Sequence, residues 1–145
     1  MNKFFYLILF ILFVGGFLYS YRIYQSRLFE TPEKNPATLE KYSDITSDQL
    51  KRMLEAKDFY FVNVHIPYEG EIEKTDAFIP YDQINNNLNK LPEDKEAKIV
   101  LYCKTGRMSA LAARRLVELG YTNVKNLSFG MHDWQSKGYS LTFDP

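Results

Sequence analysis

The sequence predicts an α/β domain with a parallel sheet flanked by helices, preceded by one N-terminal transmembrane helix. Three observations favour this class. Short apolar runs at 59–64 and 98–102 have the composition of strands that are covered on both faces. Segments with helical spacing of apolar residues alternate with these runs, which indicates βα units and therefore a parallel sheet. An uncharged, mainly apolar stretch lies near the start of the chain, at 4–21.

This stretch lies between Lys3 and Arg22 and has the length of a membrane span. As a helix it would extend about 27 Å, close to the ~30 Å hydrocarbon core of a bilayer. We therefore predict a transmembrane anchor or uncleaved signal at 1–25, contacting the membrane through residues 4–21, with the following domain outside the cytoplasm. The alternative is a signal peptide cleaved near 14–16, which would give a secreted or periplasmic protein.

A linker is predicted at 26–44, where prolines interrupt any helix and no apolar period is present. The globular domain is predicted at 45–145. Its first helix begins after Thr46, which forms a capping box with Gln49, and extends to about Lys57.

Further elements follow in order along the predicted domain. A brief edge strand is predicted at 77–80, and Asp82 is expected to cap a helix that buries Ile84, Leu88 and Leu91. After the strand at 98–102, a helix is expected to turn its alanines inward and to end at Gly120. A strand at 124–127 and a helix at 130–137 complete the domain.

The charge distribution argues against a nucleic-acid-binding protein. The chain has 18 basic and 18 acidic residues, and three of the basic ones precede residue 28, where no acid occurs. The remainder is mildly acidic, whereas nucleic-acid binding requires a basic face. The segment 99–117 nevertheless contains four cations and no acid. Two isolated histidines and a single cysteine give no metal-ligand spacing, so we predict neither a metal nor a cofactor.

The candidate site is the loop that begins at Cys103, the only cysteine of the chain. This thiol follows a buried strand and precedes a helix, where backbone N–H groups converge and stabilise an anion. Gly106 allows a tight turn that directs successive N–H groups at one point. We expect Lys104 and Arg107 to attract anions. Attack on phosphate, attack on sulfane sulfur and redox sensing are the possible uses of such a thiol.

The spacing of the loop disfavours phosphate chemistry. Cysteine phosphatases and the arsenate reductases that resemble them carry an arginine six residues after the cysteine. That position is Ser109 here, and Arg107 comes two residues too early.

The loop Cys103-Lys104-Thr105-Gly106-Arg107-Met108-Ser109 resembles the active-site loop of single-domain rhodaneses. Residues 61–64 stand where that family has its first Asp-Val-Arg strand. The segment 126–134 is similar to the family's closing Leu-x-Gly-Gly-Met-x-x-Trp segment. The resemblance covers roughly 45–141 and implies a rhodanese-like parallel sheet.

The resemblance implies a membrane-tethered sulfurtransferase. Cys103 would take a sulfane sulfur from thiosulfate or a persulfide donor and pass it to a thiol or another thiophilic acceptor. Residues 104–109 would bind the anionic donor, and Ser109 would cap the helix and hydrogen-bond the sulfur. A non-catalytic persulfide carrier or thiol redox sensor that docks to a membrane partner is the alternative.

Three departures from the family pattern concern the surroundings of the cysteine. Met108 stands where the family often has arginine, and Asn63 and His65 replace the Asp and Arg of the first strand. The family's Gly-His-Ile-Pro-Gly-Ala turn is replaced by residues 73–80. We expect the first-strand residues to be mainly structural and the replaced turn to reshape the entrance to the site.

Overall fold

The computed structural model describes Gly16, residues 18–21, Tyr24 and residues 42–143. The chain divides into two compact units, Met1–Thr38 and Leu39–Pro145. In the first unit the described residues are helical and exposed. Among all described residues, no helix is both long and apolar enough to cross a bilayer. Most of the predicted anchor at 1–25 and of the predicted linker at 26–44 lies outside the described residues.

The second unit is built on a five-stranded parallel sheet with strand order β1-β5-β4-β2-β3. Its strands are β1 Tyr42–Ile45, β2 Tyr60–Asn63, β3 Ala77–Phe78, β4 Ile99–Tyr102 and β5 Val124–Leu127. The central strand β4 is fully buried, because it is paired on both edges and covered on both faces. The predicted α/β class with a parallel sheet and flanking helices is confirmed.

Three α-helices and one 3-10 helix surround the sheet: α1 Ser47–Glu55, the 3-10 helix Ile84–Lys90, α2 Arg107–Glu118 and α3 Gly130–Ser136. Alternate β4 residues point to opposite faces, as the pleat requires. Ile99 and Leu101 pack in the same core as the α2 residues Ala112 and Leu116. Val100 and Tyr102 pack in a second core with residues of α1 and α3. Both faces of the sheet are therefore covered by apolar side chains, which explains the continuous apolar runs in the sequence.

The capping box at the start of α1 is confirmed. The Thr46 N–H donates to Gln49 Oε1 at 2.8 Å, and the Gln49 N–H donates to Thr46 Oγ1 at 3.3 Å. The helix ends at Glu55, two residues before the predicted end.

Two local predictions differ from the structure. The predicted linker extends to residue 44, whereas Tyr42–Ile45 forms the edge strand β1 and pairs with β5. The predicted helix capped by Asp82 is wrong in type. A 3-10 helix begins after Gln83, and no side chain caps it. Asn87, inside this helix, has non-helical backbone dihedral angles, and the side chain of Leu88 is 41% exposed. Tight 3-10 turns do not keep three apolar residues on the single face that α-helical spacing implies.

Candidate active site

The candidate nucleophile lies at the carboxyl end of the central strand. Cys103 directly follows β4 and is only 1% exposed. It continues the alternation of Ile99 and Leu101, so its side chain belongs to the core that α2 covers. In open α/β sheets, ligands bind beyond the carboxyl ends of the strands. The predicted position of the thiol between a buried strand and a helix is confirmed.

The loop after the strand brings a backbone donor to the sulfur. The Gly106 N–H donates to Cys103 Sγ at 3.1 Å. Gly106 has a left-handed φ of 89°, and a Cβ on it would lie 1.8 Å from the carbonyl oxygen of Ser128. Both the dihedral angle and the close approach to β5's end exclude any side chain at this position.

Ser109 supplies a second polar contact to the sulfur from the first turn of α2. Its Oγ lies 3.5 Å from Cys103 Sγ and 3.1 Å from the carbonyl oxygen of Gly106. The prediction that Ser109 contacts the sulfur agrees with this geometry. The prediction that it caps the helix is wrong, because the N-cap position is Gly106 and no side-chain cap is made there.

The beginning of α3 holds the loop from the other side. The N–H groups of Met131 and His132 donate to the carbonyl oxygens of Cys103 and Lys104, each at 2.9 Å. A Cβ on Gly130 would lie 2.1 Å from the Cys103 carbonyl oxygen. Gly130 and Met131 of the closing segment therefore pack against the backbone of the cysteine loop and hydrogen-bond to it. The motif is recognisable in the sequence, but the contact between Gly130 and Cys103, 27 positions away in the chain, is visible only in the fold.

A carboxylate that the sequence reasoning missed stands beside the loop. Glu69 Oε2 lies 2.7 Å from Lys104 Nζ and 3.1 Å from His65 Nε2. Hydrogen bonds from Lys104, and then from His65, hold the pKa of the Glu69 carboxyl below its ordinary value. The spacing of four residues between His65 and Glu69 was the only signal for it in the sequence.

Among the described residues, none of the remaining loop residues forms a hydrogen bond with the thiol. Lys104, Thr105 and Arg107 are exposed. Lys104 is neutralised by Glu69, whereas Arg107 forms no ion pair with any residue in the part of the chain that the structure describes. Met108 is half-buried and packs against the core under α2. The side chain of Met108 therefore contacts apolar core residues.

The replaced first-strand residues serve the backbone next to the site. Asn63 is fully buried, and its side chain donates to the Gly70 carbonyl oxygen at 3.1 Å and accepts from the His65 N–H at 3.0 Å. The Asn63 amide thus orders the turn that carries Glu69. This agrees with the expectation that these positions are mainly structural.

No group of three or more His, Cys, Asp or Glu side chains suited to a metal ion occurs among the described residues. The chemistry available here is that of a thiol with two hydrogen-bond donors aimed at it, inside a loop whose outer rim carries the exposed guanidinium of Arg107. Such an arrangement stabilises negative charge on sulfur and attracts anionic reactants.

Comparison with known proteins gives a consistent result. Residues 46–137 match the family model described as "Rhodanese-like domain". "Probable adenylyltransferase/sulfurtransferase MoeZ" of Mycobacterium tuberculosis is 35% identical over 99 residues, which are 65% of this chain and 25% of that protein. A "Sulfurtransferase" of Allochromatium vinosum is 31% identical over 104 residues, 68% of this chain and 94% of that protein. The chain thus spans about a quarter of its mycobacterial relative.

A solved structure supports the same fold. The "Rhodanese-like Domain Protein from Staphylococcus aureus" matches with a TM-score of 0.59 and 31% sequence identity, covering 70% of this chain and 99% of that one. The five-stranded parallel sheet with flanking helices is therefore a rhodanese-like fold.

Proposed function

The chain belongs to the rhodanese-like domain family, and on that premise we propose that it is a sulfurtransferase that carries sulfane sulfur on Cys103. The single observation that carries the proposal is the pair of donors at the sulfur, the Gly106 N–H at 3.1 Å and the Ser109 hydroxyl at 3.5 Å. Donors held in place by the fold stabilise charge on sulfur without reorganisation during the reaction.

The reaction consists of two displacements at sulfur. In the first, the Cys103 thiolate attacks the outer sulfur of thiosulfate, the sulfur–sulfur bond of thiosulfate breaks, and sulfite leaves with the bonding electron pair. In the second, a thiolate acceptor attacks the outer sulfur of the Cys103 persulfide. The sulfur–sulfur bond of the enzyme breaks, the acceptor becomes a persulfide, and the Cys103 thiolate is regenerated. This is covalent catalysis by an activated nucleophile.

Arg107 is the cation best placed to attract the donor, because its guanidinium is exposed and has no ion-pair partner among the described residues. Lys104 contributes less charge, since Glu69 lies 2.7 Å from its ammonium group. A small dianion such as thiosulfate matches this loop better than a neutral donor, because the segment 99–117 that contains the loop has no acid and the nearby Glu69 is already paired with Lys104.

Mass spectrometry of the full-length chain after incubation with thiosulfate tests the proposal. We expect a gain of one sulfur atom at Cys103 and its removal by cyanide as thiocyanate over many turnovers. The Cys103→Ser variant serves as the control and should show neither. Absence of added sulfur with thiosulfate and with a small persulfide donor would refute the sulfurtransferase.

A second candidate function is a persulfide carrier or thiol redox sensor that docks to a membrane partner. The observation in favour of the carrier is the burial of Cys103, at 1% exposure, because a buried persulfide is shielded from acceptors that do not dock at the loop. A persulfide that forms at Cys103 but is not turned over by cyanide would favour the carrier. Oxidation of Cys103 by peroxide, without any sulfur uptake, would favour the sensor.

We place the protein at a membrane, anchored through residues 4–21, with the domain on the extracytoplasmic side. The apolar stretch between Lys3 and Arg22 supports this placement. Fractionation of cells that express the full-length chain should recover it with membranes, and external protease should digest the domain in intact spheroplasts. Recovery of a soluble chain shortened near residue 16 would show a cleaved signal instead.

A further inference from the structure

We propose that Phe129 and Arg107 form a docking surface for a protein acceptor whose reactive cysteine lies on an exposed, acidic and partly apolar segment. This proposal rests on the sulfurtransferase function and names the class of molecule that takes the sulfur. It concerns the rim of the cysteine loop, where Arg107 also attracts the donor but Phe129 has no part in the two-displacement chemistry with thiosulfate and cyanide.

The chain places Phe129 between two close backbone contacts to the loop. The residue before it, Ser128, has the carbonyl oxygen that approaches Gly106. The residue after it, Gly130, lies against the backbone of Cys103 and Lys104. Phe129 is thus tied to the loop on both sides, and its position relative to the cysteine is set by the backbone.

The side chain of Phe129 nevertheless lies in solvent. It is 64% exposed, and among the large apolar side chains of residues 42–143 only Phe143, at 69%, is more exposed. Its φ of −114° suits any residue, so the turn does not require a special side chain here. In the family's Leu-x-Gly-Gly-Met-x-x-Trp segment this position is glycine, and the chain has a phenylalanine instead. A large aromatic group that adds nothing to the core is a typical binding determinant at an interface.

The charge of the rim defines the partner further. Arg107 is exposed at the first position of α2, directly after the glycine that contacts Ser128. It has no ion pair within the described part of the chain, whereas the neighbouring Lys104 is paired with Glu69. A partner that brings a carboxylate to Arg107 and an apolar side chain to Phe129 satisfies both groups at once.

A protein segment fits this surface better than the other occupants. Thiosulfate and cyanide have no apolar part to contact Phe129. A lipid surface over the rim would cover the loop through which sulfur must pass. The burial of Cys103 also requires an acceptor thiol on a segment that can extend toward the loop. In the transfer, the partner thiolate attacks the outer sulfur of the Cys103 persulfide, and the Cys103 thiolate leaves.

The test compares two probe peptides as acceptors for the full-length chain, preloaded with thiosulfate. One peptide carries a single cysteine flanked by aspartate and leucine, and the other has lysine in place of aspartate. We expect the acidic peptide to be preferred roughly tenfold in kcat/KM, and the ratio of peptide to cyanide kcat/KM to fall about tenfold in Phe129→Ala and in Arg107→Ala. Leu88→Ala is the matched control, because Leu88 is an exposed apolar residue far from the cysteine loop. Its neighbour Lys90 accepts a hydrogen bond from Tyr60, at the amino end of β2, whereas Cys103 lies at the carboxyl end of the sheet.

Equal rates with both peptides, or an unchanged peptide-to-cyanide ratio in Phe129→Ala, would overturn the docking surface. So would binding to anionic vesicles that depends on Phe129 while peptide transfer does not. A second experiment separates docking from chemistry. It uses fluorescence anisotropy to measure how a labelled peptide, with serine in place of cysteine, binds to the Cys103→Ser chain. Phe129-dependent binding in this experiment supports docking even where Cys103 takes no sulfur, and its absence counts against docking even where sulfur transfer is normal.

Discussion

The Gly106 N–H donates to Cys103 Sγ at 3.1 Å, and the same glycine is too close to Ser128 to carry a side chain. The donor and the steric constraint have one origin. The loop turns back toward the end of β5 so sharply that its amide group points at the sulfur. Any change that opens this turn removes a donor from the nucleophile as well as a contact from the fold.

Gly106→Ala should therefore slow persulfide formation roughly 100-fold. Its Cβ would meet a backbone oxygen at 1.8 Å, so the loop must move, and displacement of catalytic groups by about 1 Å costs roughly 100-fold in rate. The measurement is the rate of sulfur uptake from thiosulfate. Gly120→Ala is the matched control, since its φ is 91° but nothing lies within 4 Å of a Cβ there. It should lose about 1–2 kcal/mol of stability and keep its activity. Normal sulfur uptake by Gly106→Ala would contradict the geometry.

Ser109→Ala should lower the rate of sulfur uptake roughly tenfold with little change in KM, because a hydrogen bond to a charged group contributes about 1.5–3 kcal/mol. Single-turnover kinetics by rapid quench would resolve this step. Ser47→Ala is a suitable control, because Ser47 is also fully buried but its hydroxyl has no hydrogen-bond partner among the described residues. If both serine variants slow the reaction equally, the Ser109–sulfur contact has no catalytic role.

Arg107→Ala should raise the KM for thiosulfate about fivefold to tenfold, and Lys104→Ala should raise it less, because only Lys104 is already neutralised by a carboxylate. The difference between the two variants should shrink at high salt, since exposed charges are screened. Steady-state kinetics at low and high ionic strength measure both effects. Arg52→Ala, on α1, is the control for a general loss of positive charge. A larger effect for Lys104 than for Arg107 would reverse our assignment.

Glu69→Gln should lower the KM for thiosulfate about twofold to threefold, because it frees the Lys104 ammonium to attract the donor. Glu118→Gln removes another ion-paired acid, which pairs with Arg115 and is more exposed than Glu69, and it should leave the KM unchanged. An unaltered KM in Glu69→Gln would show that Lys104 does not face the donor.

The contribution of the Glu69 carboxylate to the stability of the fold depends on pH. Its pKa is lowered from the ordinary 4.5, first by the Lys104 hydrogen bond and then by that of His65. The stabilisation is therefore fully present above pH 4.5 and is lost as the pH falls through the lower folded-state pKa. NMR titration of the Glu69 carboxyl carbon should show a midpoint below 4.5 that moves upward in Lys104→Ala. A midpoint that does not respond to Lys104→Ala would contradict the ion pair.

Tyr102→Phe should destabilise the domain by about 1–3 kcal/mol, because it leaves a buried donor without a partner. The Tyr102 hydroxyl accepts from the Ile72 N–H at 3.0 Å and lies 2.7 Å from Thr75 Oγ1. Burial raises the pKa of this phenol, so its stabilisation persists at neutral pH and declines only in strong alkali. Chemical denaturation measures the loss. Tyr60→Phe is the control, because its hydroxyl bond to Lys90 is exposed and should cost less. Equal losses would argue against burial as the cause.

The sequence by itself determined the elements whose signals are local. Helix α1 carries its capping box within four residues, and the strand before Cys103 shows its burial in its own composition. The order of strand, cysteine, glycine and helix was also enough to place the thiol at the carboxyl end of a parallel sheet. These features depend on backbone geometry and on burial averaged over a few residues, which neighbouring residues in the chain control.

Only the tertiary structure decided the features that join distant parts of the chain. Strand β1 is short and partly polar, and its stability comes from pairing with β5, 82 residues away at Asp44 and Asn126. Glu69 reaches Lys104, and Gly130 closes on Cys103, through a sheet that brings separate loops to one edge. Phe129 is a large apolar residue of the kind that usually lies in a core, and only the fold shows that it is exposed to solvent. Contacts at long sequence separation depend on how the layers pack, and no local pattern in the chain encodes that arrangement.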